Sequence, residues 1–157
     1  MDLILWRHAD ADANEAADGA DDLGRRLTPR GERQATRVAL WLHRQMPDAM
    51  RVLVSPAERA RRTAAKLERK YTVVDTIGPA ANALDLLKVC GWPSGNRTVL
   101  LVAHQPALGE LASLLLTGQE APWTIRKGAV WWFRSRPGED SARAQTLLLC
   151  VQSPDTM

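Results

Sequence analysis

Three short apolar runs constrain this chain more than anything else in it: LILW at 3–6, VLV at 52–54 and VLLVA at 99–103. None alternates apolar with polar residues, so each expects apolar neighbours on both faces. That is the pattern of strands in a parallel sheet covered by helices. Parallel strands need crossover connections, and helix signals stand where the crossovers must be. After VLV, the segment SPAE reads as a capping box, with Ser55 as N-cap, Pro56 as first helical residue and Glu58 as third. The helix it opens is predicted to run to about Tyr71, with Ala60, Ala64 and Leu67 along one face. After VLLVA, His104-Gln105-Pro106 leads into ALGELASLLLTG, a helix stopped by Gly118. A further helix starts at Thr28-Pro29 and carries Ala35, Val38, Leu42 and Met46 at helical spacing.

The stretch 72–97 gives weaker signals: a short strand at VV (73–74), a turn at Gly78-Pro79 and a short helix in ANALDLLKV. AVWWF (129–133) and TLLLCV (146–151) read as two strands around a turn containing Pro137 and Gly138, and the last residues as frayed. This alternation predicts an α/β fold. Its form is a three-layer α/β/α sandwich with a largely parallel central sheet and no cap domain.

Composition narrows the class. With 45% hydrophobic and 25% charged residues the chain has the balance of a soluble globular protein. Its 157 residues are enough to bury a core as one domain. No apolar run is long enough to span a bilayer, and LILW, preceded by Asp2, is too short for a secretory signal. A cytoplasmic location with no membrane partner is the expectation. Cys90 and Cys150 form no Cys-x-x-Cys pair and are expected to be reduced. The net charge of +3 comes from arginines that lie among acids such as Glu32, Glu58 and Glu68, as on a solvated face, so nucleic acid is not an expected partner. Trp6, Trp41, Trp131 and Trp132 read as packing, Trp92 and Trp123 as partly buried loop residues, and His43 as a helix-surface histidine.

In open α/β sheets, ligands bind beyond the carboxyl ends of the strands. There the first apolar run delivers Arg7-His8, the second delivers Ser55 and, one turn on, Arg59, and VLLVA delivers His104. Two arginines and two histidines from distant segments thus converge on one rim, beside helix starts whose free N–H groups favour an anion. Guanidinium forks match phosphate oxygens, and imidazole can attack phosphorus or donate a proton near neutral pH. Phosphoryl transfer through a phosphohistidine is the chemistry these groups serve. Zinc is the competing reading, but only two histidines are available and the arginines repel a cation.

The blocks around these residues resemble the histidine phosphatase (phosphoglycerate-mutase-like) superfamily, whose signature is an RHG or RHA motif after the first strand. LTPRGERQA (27–35) resembles the family's LT-x-x-G-x-x-Q-A, VLVSPAERARRTA (52–64) its S-P-x-x-R-A-x-Q-T-A, and VAHQPALGELASLLLTG (102–118) its V-G-H-N-P-x-L-x-x-L. The blocks span most of the chain in the family's order. The short length and the last block are most similar to bacterial SixA-type phosphohistidine phosphatases. The resemblance implies a single histidine phosphatase domain over 1–157 and catalysis by His8, His104, Arg7 and Arg59. His8 is the nucleophile, and His104 works partly as a cation. The phosphate ligands are Arg7, Arg59, Ser55 and Gln105. No metal or organic cofactor is implied, free phosphate or another oxyanion should fit the site, and a monomer is expected.

The chain departs from the family pattern at Ala9, Arg62, Ala103 and Gln105, changes around the chemistry rather than in it. One departure matters more. Larger relatives place a glutamate after the Arg59 helix to protonate the leaving oxygen, whereas here that segment reads DTIGPAANALD. Asp75 and Asp85 lie at its edges, and Asn82 takes the place where short relatives can carry an aspartate. Asp10 and Asp12 remain as candidate acids. A weak or absent acid favours phosphohistidine, whose imidazole leaves neutral, over an alkyl phosphate. Fewer than fifty residues separate Arg59 from His104, which leaves no room for a cap and suits a phosphorelay or phosphotransfer protein. The alternatives are a small-molecule phosphomonoesterase and a non-catalytic phosphate-binding module. Asp10, Asp12 and Asn14 also imitate the start of a calcium loop, but Glu15 replaces the required glycine, so DADANEAADGADD (10–22) reads as an acidic loop beside the site.

Overall fold

The computed structural model describes residues 1–13, 22–138 and 144–157. The apolar runs form the strands they predict: β1 (Asp2–Arg7), β2 (Met50–Val54) and β4 (Thr98–Ala103), joined by β3 (Thr72–Val73), β5 (Val130–Arg136) and β6 (Gln145–Gln152) in one six-stranded sheet of order β3-β2-β4-β1-β5-β6. β3, β2, β4 and β1 run parallel; β5 and β6 are antiparallel to their neighbours. Helices α1 (Pro29–Gln45) and α2 (Glu58–Ala65) cover one face, and α3 (Ala83–Cys90) and α4 (Ala107–Thr117) the other.

Successive residues of a strand point to opposite faces, and here both faces are dry. Leu3, Leu5 and Leu101 pack with Leu86 of α3 and Leu108 of α4. Ile4, Trp6 and Val102 pack with Val38 of α1 and Ala60 of α2. This is why the strands carry no polar alternation. α4 ends as predicted at Gly118, which takes a left-handed backbone (φ 79°). Trp6 is wholly buried and its indole N–H donates to Gly128 O (3.0 Å). Cys90 and Cys150 are unpaired, and His43 lies exposed on α1.

The structure corrects several boundaries. α2 begins at Glu58, not at Ser55-Pro56, its N-cap is Ala57 with no side-chain cap, and Glu58 pairs with Arg61 and Arg62 rather than closing a capping box. The Ser55 hydroxyl is committed elsewhere. α2 also ends at Ala65 instead of near Tyr71: Leu67 and Glu68 close tighter three-residue turns, and Glu68 takes a positive φ of 52°. The short strand expected at Val73-Val74 pairs through Thr72 and Val73, one residue early. The carboxyl terminus is not frayed: Pro154–Thr156 form a 3-10 turn, and Arg37 donates to Pro154 O (2.9 Å). Among the described residues, no helix is long and apolar enough to cross a membrane.

β4 is central and β6 is an edge. Leu101→Ala on β4 should therefore cost about 2–5 kcal/mol in urea unfolding, whereas Leu149→Ala on half-exposed β6 should stay within about 0.5 kcal/mol. Equal costs would contradict the strand order.

Candidate active site

Register assembles the site. Arg7 stands opposite Ala103, so His8 and His104 leave the sheet level with one another, and Val54 stands opposite Val102, so Ser55 leaves one residue earlier, level with Ala103. His8 N donates to Ala103 O (3.2 Å) and Ser55 N to Val102 O (3.0 Å). The rings of His8 and His104 consequently lie 5.1 Å apart, tilted by 51°. Both are more than nine-tenths buried, as is Arg59, which reaches the rim from the first turn of α2.

Several contacts hold the chain after His8. Ala9 N donates to Thr63 Oγ1 (3.0 Å), and that hydroxyl donates to Arg59 O (2.7 Å). Gly128 N donates to the His8 carbonyl (3.1 Å). The LTPRGERQA block supplies the rest. Thr28 caps α1 and donates its hydroxyl to Asp10 Oδ2 (2.8 Å), Gln34 Oε1 accepts from Asp10 N (2.9 Å), and Gly31 presses against the Asp10 carbonyl. A Cβ on residue 31 would sit 1.9 Å from that oxygen, which is why the block needs glycine there.

His8 Nδ1 lies 2.7 Å from the carbonyl of Ala9. A carbonyl only accepts, so Nδ1 carries the ring proton and Nε2 keeps a free electron pair. Burial, reinforced by Arg59, Arg7 and Arg25, lowers the His8 pKa to about 4. The ring is neutral and nucleophilic at neutral pH. His104 is lowered further, to about 3, by burial first and then by His8 and Arg59. It is therefore neutral in the ligand-free site and not the partial cation expected from sequence: desolvation and surrounding positive charge both oppose its protonation.

Arg59 Nη1 donates to Asp22 O (2.6 Å) and Nη2 to Asp22 Oδ2 (3.1 Å), while Arg7 Nη1 donates to Ile125 O (2.8 Å). Yet Arg7 Nε, Arg59 Nε and His104 Nδ1 have no partner; they are the three buried side-chain polar atoms left unpaired among the described residues. Buried unpaired polar atoms are rare in folded proteins. Here all three belong to residues singled out from the sequence, and guanidinium N–H groups left unpaired suit an oxyanion.

Other sequence-predicted ligands have different work. Ser55 Oγ bonds His104 Nε2 (2.6 Å) and accepts from Ala57 N (3.2 Å). Gln105, expected to touch phosphate, spends both ends of its amide on the fold, donating to Trp123 O (2.8 Å) and accepting from Gly109 N (2.8 Å) in the first turn of α4. Asp10 is no acid. Lys127 at 2.8 Å, then Thr28, hold its carboxyl below the usual range, so it stays ionised. Asp12 is exposed and pairs through its backbone with Arg26. Asn82 caps α3 in a reciprocal pair with Asp85, 3.0 Å each way. Asn14 and Glu15 of the calcium-loop comparison lie outside the described residues, among which no group of three or more His, Cys, Asp or Glu could hold a metal ion.

Three contributors were not singled out from the sequence. Thr63 was legible in principle, since it lies four residues after Arg59 on the same helix face. Asp22 and Arg25, joined at 3.1 Å, come from a segment with no periodicity. Burial alone would raise the Asp22 carboxyl, but Arg25 and Arg59 outweigh it and keep it ionised.

Comparison with known proteins gives the same picture. The profile of the histidine phosphatase superfamily (branch 1) matches residues 3–78. The phosphohistidine phosphatase SixA of Escherichia coli (strain K12) is 32% identical over 134 residues, 78% of each chain. A solved protein histidine phosphatase SixA complexed with tungstate superposes with a TM-score of 0.77 at 26% identity, covering 99% of both chains. The structure of a putative SixA from Nakamurella multipartitia gives 0.76 at 27% identity over 98% of this chain and 95% of that one.

Two outcomes follow. Gly31→Ala should lower stability by about 1–3 kcal/mol and reduce turnover, because helix α1 must back away from Asp10; unaltered unfolding and turnover would contradict the clamp. Unfolded, both histidines titrate near pH ~6.5, but folded they stay neutral down to about 4 and 3. The unfolded chain thus binds more protons in this window, and stability, full above it, falls as the pH drops. Urea midpoints measured between pH 7 and 4.5 should fall less steeply in His104→Gln than in wild type. Parallel slopes would refute the assignment.

Proposed function

The chain belongs to the histidine phosphatase superfamily and is a phosphatase, and from that premise we propose that it removes phosphate from phosphohistidine on a phosphorelay or phosphotransfer protein, through a phosphoryl group carried on His8. The His8 ring, 5.1 Å from that of His104, together with buried unpaired nitrogens on His104, Arg7 and Arg59, carries this reading.

His8 Nε2 attacks phosphorus and forms a new N–P bond. The bond from phosphorus to the substrate nitrogen breaks, and its electron pair stays on that imidazole. Protonated on its other nitrogen, the imidazole departs neutral. Negative charge on the three equatorial oxygens meets Arg7, Arg59 and His104, donors already in place before the reaction. Water then attacks phosphorus, the electron pair returns to His8 Nε2, and phosphate leaves with the proton that the water gives up.

Two carboxylates among the described residues near the site support this substrate class. Asp10 is tied to Lys127, and Asp22 to Arg59 and Arg25, so both are ionised and neither has a proton to give. An alkoxide leaves poorly without one. An imidazole with a pKa near ~6.5 does not need it. The stretch between Arg59 and His104 is spent on β3, α3 and β4, which leaves no inserted cap domain there. A site without such a cap suits a protein-borne phosphoryl group. The E. coli relative is a phosphohistidine phosphatase, which supports the same substrate class.

Turnover should favour a phosphohistidine protein over an alkyl phosphate by at least about tenfold in kcat/KM, the loss expected when a leaving group lacks its acid. Preference for the alkyl ester would reject this substrate and favour a small-molecule phosphomonoesterase. Binding without turnover of either would leave only a phosphate-binding module. Arg59→Ala should lower kcat by about 10²–10³-fold; steady-state assays on folded variant check this, and wild-type kcat would remove Arg59 from the site.

A further inference from the structure

We propose that Ser55 is a positioning residue that donates its hydroxyl proton to Nε2 of His104, fixing that ring with its own proton on Nδ1, so that a neutral imidazole presents an N–H to the phosphoryl oxygens.

The proton inventory at Ser55 carries the argument. A serine hydroxyl has one proton to donate and two electron pairs to accept with. One pair is taken by Ala57 N–H at 3.2 Å. Ser55 is wholly buried, and the one other hydrogen-bond partner of its side chain among the described residues is His104 Nε2, at 2.6 Å. The hydroxyl proton therefore has a single acceptor. If Nε2 carried the ring proton instead, two donors would crowd one oxygen's electron pairs, and the hydroxyl proton would be buried with nothing to bond.

The other end of the ring agrees. His104 Nδ1 is buried without a partner among the described residues, as are Arg7 Nε and Arg59 Nε. The two arginine atoms can only donate. A bare electron pair on Nδ1 would repel the oxyanion those donors attract, whereas an N–H there makes a third donor. Low basicity of the ring is then no handicap: His104 serves as a donor without being charged. His8 is built the opposite way round. Its Nδ1–H is tied to Ala9 O and its bare Nε2 is left for phosphorus. One ring presents an electron pair and its neighbour a proton.

The assignment also accounts for the late start of α2. The Ser55 oxygen serves His104 and Ala57, so no side chain caps the helix, which opens at Glu58. The catalytic consequence rests on the phosphoryl-transfer reading above; the tautomer itself does not.

Histidine ring ¹⁵N labelling with two-bond ¹H–¹⁵N correlation spectra at pH 7 reads the tautomer directly, with His104→Gln to assign the ring. Wild type should show His104 protonated on Nδ1 and bare on Nε2. Ser55→Ala should move it toward the Nε2–H form that free histidine favours in water and lower kcat on the order of 10²-fold. Ser55→Thr, which keeps the hydroxyl, should restore the wild-type pattern and most of the rate. A merely structural role would lower thermal stability without exchanging the ring nitrogens. An Nε2–H ring in wild type overturns the proposal, as does a Ser55→Ala protein that keeps either the tautomer or the rate. If Ser55→Ala does not fold, the wild-type and Ser55→Thr spectra decide alone. Failure of phosphoryl transfer to His8 would sink the proposed function and leave these spectra unchanged.

Discussion

The parallel pairing of β1 and β2 on either side of β4 is the constraint on which everything else depends. Parallel strands in register end together, and these deliver His8, Ser55 and His104 side by side. A slip of one residue would flip every side chain of the slipped strand to the other face. Leu3 and Leu5 would exchange with Ile4 and Trp6, and both packed layers would be lost. The hydrophobic cores that stabilise the sheet therefore also fix the spacing of the imidazoles.

The rim itself works against stability. Two guanidinium groups and two rings are held there, and three of their nitrogens are buried without a hydrogen-bond partner among the described residues. The surroundings offset this with local contacts. Asp22 balances Arg59, Thr63 ties the Arg59 backbone to Ala9, and the start of α1 grips Asp10. Such preorganisation lets the donors meet developing charge without rearranging at the moment of reaction.

The sheet was legible because its signal is physical and local. Continuous apolar runs can mean little else when Thr28-Pro29 and Gly118 punctuate the helices between them. The placement of Arg7, His8, Arg59 and His104 near the carboxyl ends of the parallel strands was legible because apolar runs and helix starts mark those ends. What misled was also local. Ser55-Pro56 with Glu58 has the form of a helix cap, but the hydroxyl bonds His104, a residue 49 positions away that no local pattern reveals. Gln105 stands beside His104 in sequence, yet its amide is spent on Trp123 and Gly109. Asp10 reads as a free acid until Lys127 arrives from 117 positions away. Asp22 belongs to an acidic run in which nothing marks it out. In each case a long-range partner decides the role.

The central claim is that His8 takes the phosphoryl group. The most direct measurement incubates the enzyme with a phosphohistidine protein, quenches in alkali, where phosphohistidine survives, and locates the added phosphoryl group by mass spectrometry. The account predicts an acid-labile phosphoryl group on His8 in wild type and none in His8→Ala. A phosphoryl group on a different residue, or label that persists in the variant, would contradict it.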